Sequence, residues 1–165
     1  VWEKEKLITV TGGMADFKND YKFIIKHLAE LKDTYNLKFK GIAIDPHNAD
    51  GILSDLESFG CPVVPITQSC KNLNDATCDV QLTVKSRKLR YDKKNSLLIW
   101  SFTNAVTVAN SFKEIKVDKE SNKKRIDPVD ACIDARCFVL SQKGKAQIDY
   151  ESEMQKYLQT MGWDK

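Results

Sequence analysis

The chain has 165 residues, 42% of them hydrophobic and 30% charged, which suits one domain with a real core and excludes a disordered chain. Its net charge of +3 is too small to declare a nucleic-acid partner by itself. No apolar run approaches the roughly 18 residues of a membrane span, so no membrane partner is expected.

Leu7–Thr11 is a β-rich run closed by the turn signal Gly12-Gly13. Asp16 can cap the next element, in which Tyr21, Ile24, Leu28, Leu31 and Tyr35 recur at helical spacing over about five turns. Phe39 to Ile44 reads as a short, central strand. A loop at Pro46-His47-Asn48 leads to a helix with Ile52, Leu53, Leu56 and Phe59 that stops at Gly60. Pro62 to Thr67 is a third strand whose prolines place it at an edge or at strand ends. This order of strands and helices implies right-handed crossovers and a largely parallel sheet.

Asn72 to Leu89 reads as a helix with Leu73, Val80, Val84 and Leu89 inward, and Asn95 to Ala109 as another. Phe112 to Val117 alternates, as an exposed strand or hairpin arm would, ahead of a turn at Ser121-Asn122. Asp127-Pro128 opens a helix as N-cap acid and first-turn proline, with Val129, Ile133 and Val139 on its apolar side. Lys143-Gly144-Lys145 breaks it from a last amphipathic helix carrying Tyr150, Met154, Tyr157, Leu158 and Met161. That final piece, 143–165, is expected to pack on the body or to dock on a partner.

Five cysteines form no CxxC pair, and His27 and His47 add no zinc spacing, so a reducing cytoplasm is the expected home. Asp45 ends the apolar strand Gly41 to Ile44 at the rim where α/β sheets bind ligands. As a turn residue before Pro46 it needs no ligand, and Asp127 as a helix cap needs none either. Asp130 and Asp134 follow Asp127 at i+3 and i+7, so one helix face is acidic for two turns. Brought together, Asp45 and Asp127 suggest a divalent-metal site for phosphodiester chemistry. His47 is a candidate to polarise a water or touch a phosphate, or it is merely solvated. Lys85, Arg87, Lys88 and Arg90 begin one basic cluster; Lys116, Lys119, Lys123, Lys124 and Arg125 form a second. Both suit DNA phosphates, and both suit a solvated surface.

The strings IAIDPHNADGILSDLESFGCPVVPITQ, KNSLLIWSFTNAV and KRIDPVDACIDA, in that order, resemble the C-terminal nuclease domain of large terminase subunits of tailed bacteriophages and prophages. The resemblance implies an α/β, ribonuclease-H-like fold over residues 1–142, with a central mixed, mostly parallel sheet flanked by helices. It implies three carboxylates holding two Mg²⁺ or Mn²⁺ ions that cut double-stranded concatemeric DNA. Asp45 matches the second acid of that set and Asp127 the third; Asp130 or Asp134 would orient the third acid or a water. The first acid belongs to a strand upstream of the matching region, so the chain is expected to be a C-terminal fragment lacking the fold's first strands. With two acids left, the fragment is expected to be weakly active or inactive. Implied partners are DNA, the portal protein, the small terminase subunit and an upstream ATPase domain, in the cytoplasm of a bacterial host. Alternatives are another ribonuclease-H-like nuclease, such as a resolvase, and a DNA-binding or portal-docking fragment without catalysis.

Overall fold

The computed structural model describes residues 1–10, 21–47, 49 and 51–143. Thr11, Gly12, Gly13, Asp16, Asn48 and the expected terminal helix lie outside these residues. Leu7–Val10 form no strand, contrary to their β-rich composition. The segment before them instead reaches α-helical residues far along the chain. Trp2 tilts against Trp100 with ring centroids 4.8 Å apart, and Glu5 accepts a hydrogen bond from the Ser96 hydroxyl.

Helix α1 spans Tyr21–Thr34, at the expected helical spacing, and buries none of its residues fully. Strand β1 (Ile42–Ile44) pairs in parallel with β2 (Val63–Pro65), Ile42 opposite Val63. Between them in the chain lies the short helix α2 (Leu53–Glu57), whose Leu56 is buried along with Ile52 just before it. Gly60 takes a left-handed φ of 69°, which ends that helical segment. Pro62 stands just before the strand and supplies only its carbonyl, which accepts the Ile42 N–H.

Helix α3 spans Cys70–Lys85. Ser69 caps it by accepting the Asn72 N–H, so it starts two residues before the expected Asn72. Leu73, Ala76, Thr77 and Val80 recur at i, i+3, i+4 and i+7 and are buried. They meet Val129 and Ile133 of α5 (Asp127–Lys143), and Ile66 joins the same core. Val84 is exposed rather than inward, because α3 ends at Lys85 and the chain turns through a left-handed Arg87.

The expected helix over 95–109 is half strand. Helix α4 covers Ser96–Asn104, and β3 covers Ala105–Ala109. The β-branched run Val106-Thr107-Val108 favours the pleated form. Buried Asn104 marks the switch: its amide donates to the Arg125 carbonyl and its carbonyl accepts the Glu120 N–H. Strand β4 (Ile115–Lys119) pairs antiparallel with β3, realising the expected hairpin arm. Among the described residues the strands form two separate two-stranded sheets, β1–β2 parallel and β3–β4 antiparallel. The start of α5 also shifts by one position. Ile126 supplies the first accepting carbonyl, so Asp127 is the first helical residue rather than the cap. The Val129 N–H is satisfied by the buried Ser101 hydroxyl.

Candidate functional site

The ends of β1, β4 and α5 surround a polar cavity of about 230 Å³. Asp45, Asp118, Asp127 and Asp130 all line it. Lys116, Lys119, Lys124 and Arg125 line it too, with Gln68 at its back. Each acid arrives there for a local reason. Asp45 is the first residue past β1, and its Oδ1 accepts the His47 N–H at 3.0 Å, the local turn chemistry of an aspartate before a loop. A place on the cavity and the turn hydrogen bond therefore coexist in one side chain. Lys116 and Asp118 stand two apart on β4, which turns them to one face of the strand. Asp127 and Asp130 occupy the first turn of α5.

Asp134 lies one turn further on α5 and is buried. The Gln68 amide donates to both of its carboxylate oxygens, at 2.9 and 3.2 Å, and to the Ile66 carbonyl at 3.1 Å. Burial and the neighbouring like charges both disfavour ionisation of these carboxyls. Burial, then the charges of Asp134, Asp127 and Asp118, push the Asp130 carboxyl up to about 6, with Lys116 opposing. Burial also raises Asp134, against the pull of the Gln68 hydrogen bond, and Asp45 raises it further. The charge of Asp45 thus reaches Asp134, behind the cavity.

The sequence-predicted residues divide clearly by position. Asp45, Asp127, Asp130, Lys124 and Arg125 meet at the cavity, and Asp134 lies just behind it. His47 is exposed in the turn beyond Asp45 and does not line the cavity; Lys123 is exposed beside Lys124. Lys85, Arg87, Lys88 and Arg90 are elsewhere. They follow the far end of α3, whose first residue comes two positions after Gln68, and fifteen residues of helix carry the chain about 22 Å away. Two polar cavity residues, Asp118 and Gln68, escaped the sequence reading, and Lys116 and Lys119 entered it only as members of the second basic cluster. The alternation over Phe112 to Val117 was the available signal, since continuing it by one residue puts Asp118 on the face of Lys116.

Carboxylate oxygens are hard donors of the kind Mg²⁺ and Mn²⁺ select. Among the described residues no three acidic, histidine or cysteine side chains converge as a ready ligand set. The acids ring the cavity instead, leaving room for water. That arrangement fits a hydrated cation held by one or two carboxylates. All five cysteines are free, and burial raises the Cys132 and Cys137 thiols, so they are poor ligands at neutral pH.

The family model described as terminase large subunit, endonuclease domain, matches residues 2–142. The chain is 27% identical over 135 residues to Protein YmfN of Escherichia coli (strain K12), an alignment covering 80% of this chain and 28% of that protein. The crystal structure of the HK97 bacteriophage large terminase superimposes with a TM-score of 0.69 at 25% identity. That match covers 82% of this chain and 28% of the HK97 protein, so the chain spans just over a quarter of either relative.

Proposed function

The chain belongs to the family of endonuclease domains of terminase large subunits, and on that premise we propose that it cuts double-stranded, concatemeric phage DNA with Asp45 and Asp127 as the metal-holding acids. The observation that carries this reading is the shared cavity, in which two acids distant in sequence stand among four cations. Mg²⁺ or Mn²⁺ held there, two ions in the complete domain, would lower the pKa of an attacking water and neutralise charge on the leaving oxygen.

The chain's own groups supply the rest. The His47 N–H fixes one oxygen of Asp45 and leaves the other free to bind. Lys124 and Arg125 sit where the phosphates of a duplex would enter, and Lys123 extends that edge. Asp130 and Asp134 steady Asp127 and an ordered water, rather than holding the ion. Lys85, Arg87, Lys88 and Arg90, about 22 Å from the cavity along α3, would reach phosphates less than one turn of duplex from the cut. The portal protein, the small terminase subunit and an upstream ATPase domain are the partners this reading implies, in the cytoplasm of a bacterial host. No helix among the described residues is long and apolar enough to cross a membrane.

Nicking of supercoiled plasmid in Mn²⁺ or Mg²⁺ tests the proposal. Cleavage should stop with chelator and with Asp45→Asn or Asp127→Asn, and fall less with Asp130→Ala or Asp134→Ala than with Asp127→Ala. Metal-dependent nicking that survives both asparagine variants sinks it. A second reading, DNA binding without cutting, draws on the four cations of the cavity. Salt-sensitive binding with no metal-dependent nicking would select it.

A further inference from the structure

We propose that Lys116 is the resident counter-cation of the carboxylate cavity, tethered by the Gln68 carbonyl, and that it transfers to a DNA phosphate when a divalent cation enters. This rests on the reading of the cavity as a metal-dependent nuclease site. Four carboxylates around one small space repel one another unless a cation stands among them. The cavity's other cations are less suited to that place. Lys119 and Arg125 are solvent-exposed, and Lys124 pairs with Glu120 at 3.6 Å.

Lys116 is half-buried, and its Nζ donates to the Gln68 carbonyl at 3.3 Å. Gln68 is itself anchored, because its amide is committed to Asp134 and to the Ile66 carbonyl. The tether is thus rigid at the Gln68 end and flexible at the lysine end. The charge of Lys116 also acts on Asp130, favouring its ionised form. An ammonium has three donors and no acceptor, so it satisfies carboxylates but cannot ligate a metal. A dication in the same cavity repels it. A four-carbon stem lets the ammonium leave, and the strongest anion then within reach is the phosphate that DNA brings. One side chain would in this way hold the empty site together and later grip the substrate.

Two binding measurements on the whole chain test this, neither of them a cleavage assay. Mn²⁺ alone, titrated and followed by the electron-spin resonance of the free ion, should bind Lys116→Met roughly tenfold more tightly than wild type. That factor is what one charge a few ångströms from a dication is worth even in a water-like dielectric. Binding of a blunt 30-base-pair duplex in Ca²⁺ buffer should lose about one unit of its salt slope in Lys116→Met. Lys116→Arg should keep the wild-type slope and gain no Mn²⁺ affinity. Lys116→Gln repeats both expected shifts with a polar side chain, so the test does not depend on Met being tolerated, and circular dichroism checks each fold. Unchanged or weaker Mn²⁺ binding in both neutral variants overturns the proposal, as does an unchanged salt slope. A wild-type chain that never nicks DNA refutes the nuclease reading and leaves these two measurements to decide Lys116 separately.

Discussion

Replacing Asp130 by Asn should stabilise the protein, and the gain should depend on pH in a defined direction. In the folded chain the Asp130 carboxyl is pushed up to about 6 from an ordinary 3.8, first by burial and then by its acidic neighbours. Folding therefore favours the protonated form, and ionisation costs stability. The cost is absent below about pH 4, grows through the interval up to pH 6 and is complete above it. At about 1.4 kcal/mol per pH unit the gap between the two values caps the penalty near 3 kcal/mol. Asp130 is only partly buried, so water screens it, and about 1–2 kcal/mol is the working expectation. For a domain of this size that corresponds to a rise of about 2–8 °C in Tm. Urea unfolding followed by tryptophan fluorescence, with chelator present, at pH 8, 5 and 3 reads the difference directly. Asn should be ahead at pH 8, less so at pH 5 and level at pH 3. Equal gains at pH 8 and pH 3, or an Asn variant less stable at pH 8, would show that burial and the neighbouring acids do not disfavour the Asp130 carboxylate as described.

Gln68→Ala removes the amide that donates to buried Asp134 and should cost about 1–3 kcal/mol at pH 8, less at pH 4 where Asp134 can protonate, as thermal melts at the two pH values would show. Thr77→Val deletes a buried hydroxyl that has no hydrogen-bond partner and should raise stability by about 1 kcal/mol in the same melts, with a loss counting against the assignment. Arg136→Met breaks the 2.7 Å pair with Asp79 that ties α5 to α3, and solvent access at both ends limits the expected cost to about 1 kcal/mol by urea titration. Gly41→Ala should cost about 1–3 kcal/mol, because any side chain there runs into the buried Phe138 ring.

Periodicity carried the fold where an element buries one clear face. The spacing of Leu73 and Val80 located α3, and the apolar run to Ile44 located β1. It failed where apolar density was high on every side. Leu97 to Val108 contains no polar stripe to separate helix from strand, and the change at Asn104 is decided by tertiary hydrogen bonds to Arg125 and Glu120. Leu7–Val10 has strand composition, but neighbours in the sheet are what make a strand, and the described residues supply none there. Asp45 and the acids of α5 were legible because a strand end and an i, i+3, i+7 series are local patterns. Asp118 and Gln68 were not, and Lys116 was legible only as one lysine of a basic cluster, since what brings them to the cavity is the packing of β4 on α3 and the loop after β2. One such tie, the Asn74 side chain accepting the Ile115 N–H at 3.0 Å, is 41 residues long and has no local signature.

The register between β1 and α5 links Gly41, at the far end of the strand, to the carboxylate cavity. Gly41 allows the Phe138 ring to lie against the strand's entry, which fixes one point of contact between the two elements. From Gly41 to Asp45 the strand advances about 13 Å. The same distance measured back along α5 from Phe138 is about nine residues, which reaches the first turn of the helix, where Asp127 and Asp130 stand. Asp45 and Asp127 thus meet because a strand of this length and a helix of this rise share an anchor at their other ends. Helical spacing does the rest. Asp127, Asp134 and Phe138 fall within about 40° on one side of α5, while Val129 and Ile133 point roughly opposite, into the core against α3. A substitution at Gly41 that is tolerated by moving Phe138 would slide this anchor. It should therefore weaken Mn²⁺ binding as well as stability, whereas Arg136→Met, which loosens α5 from α3 without touching the anchor, should lower stability alone.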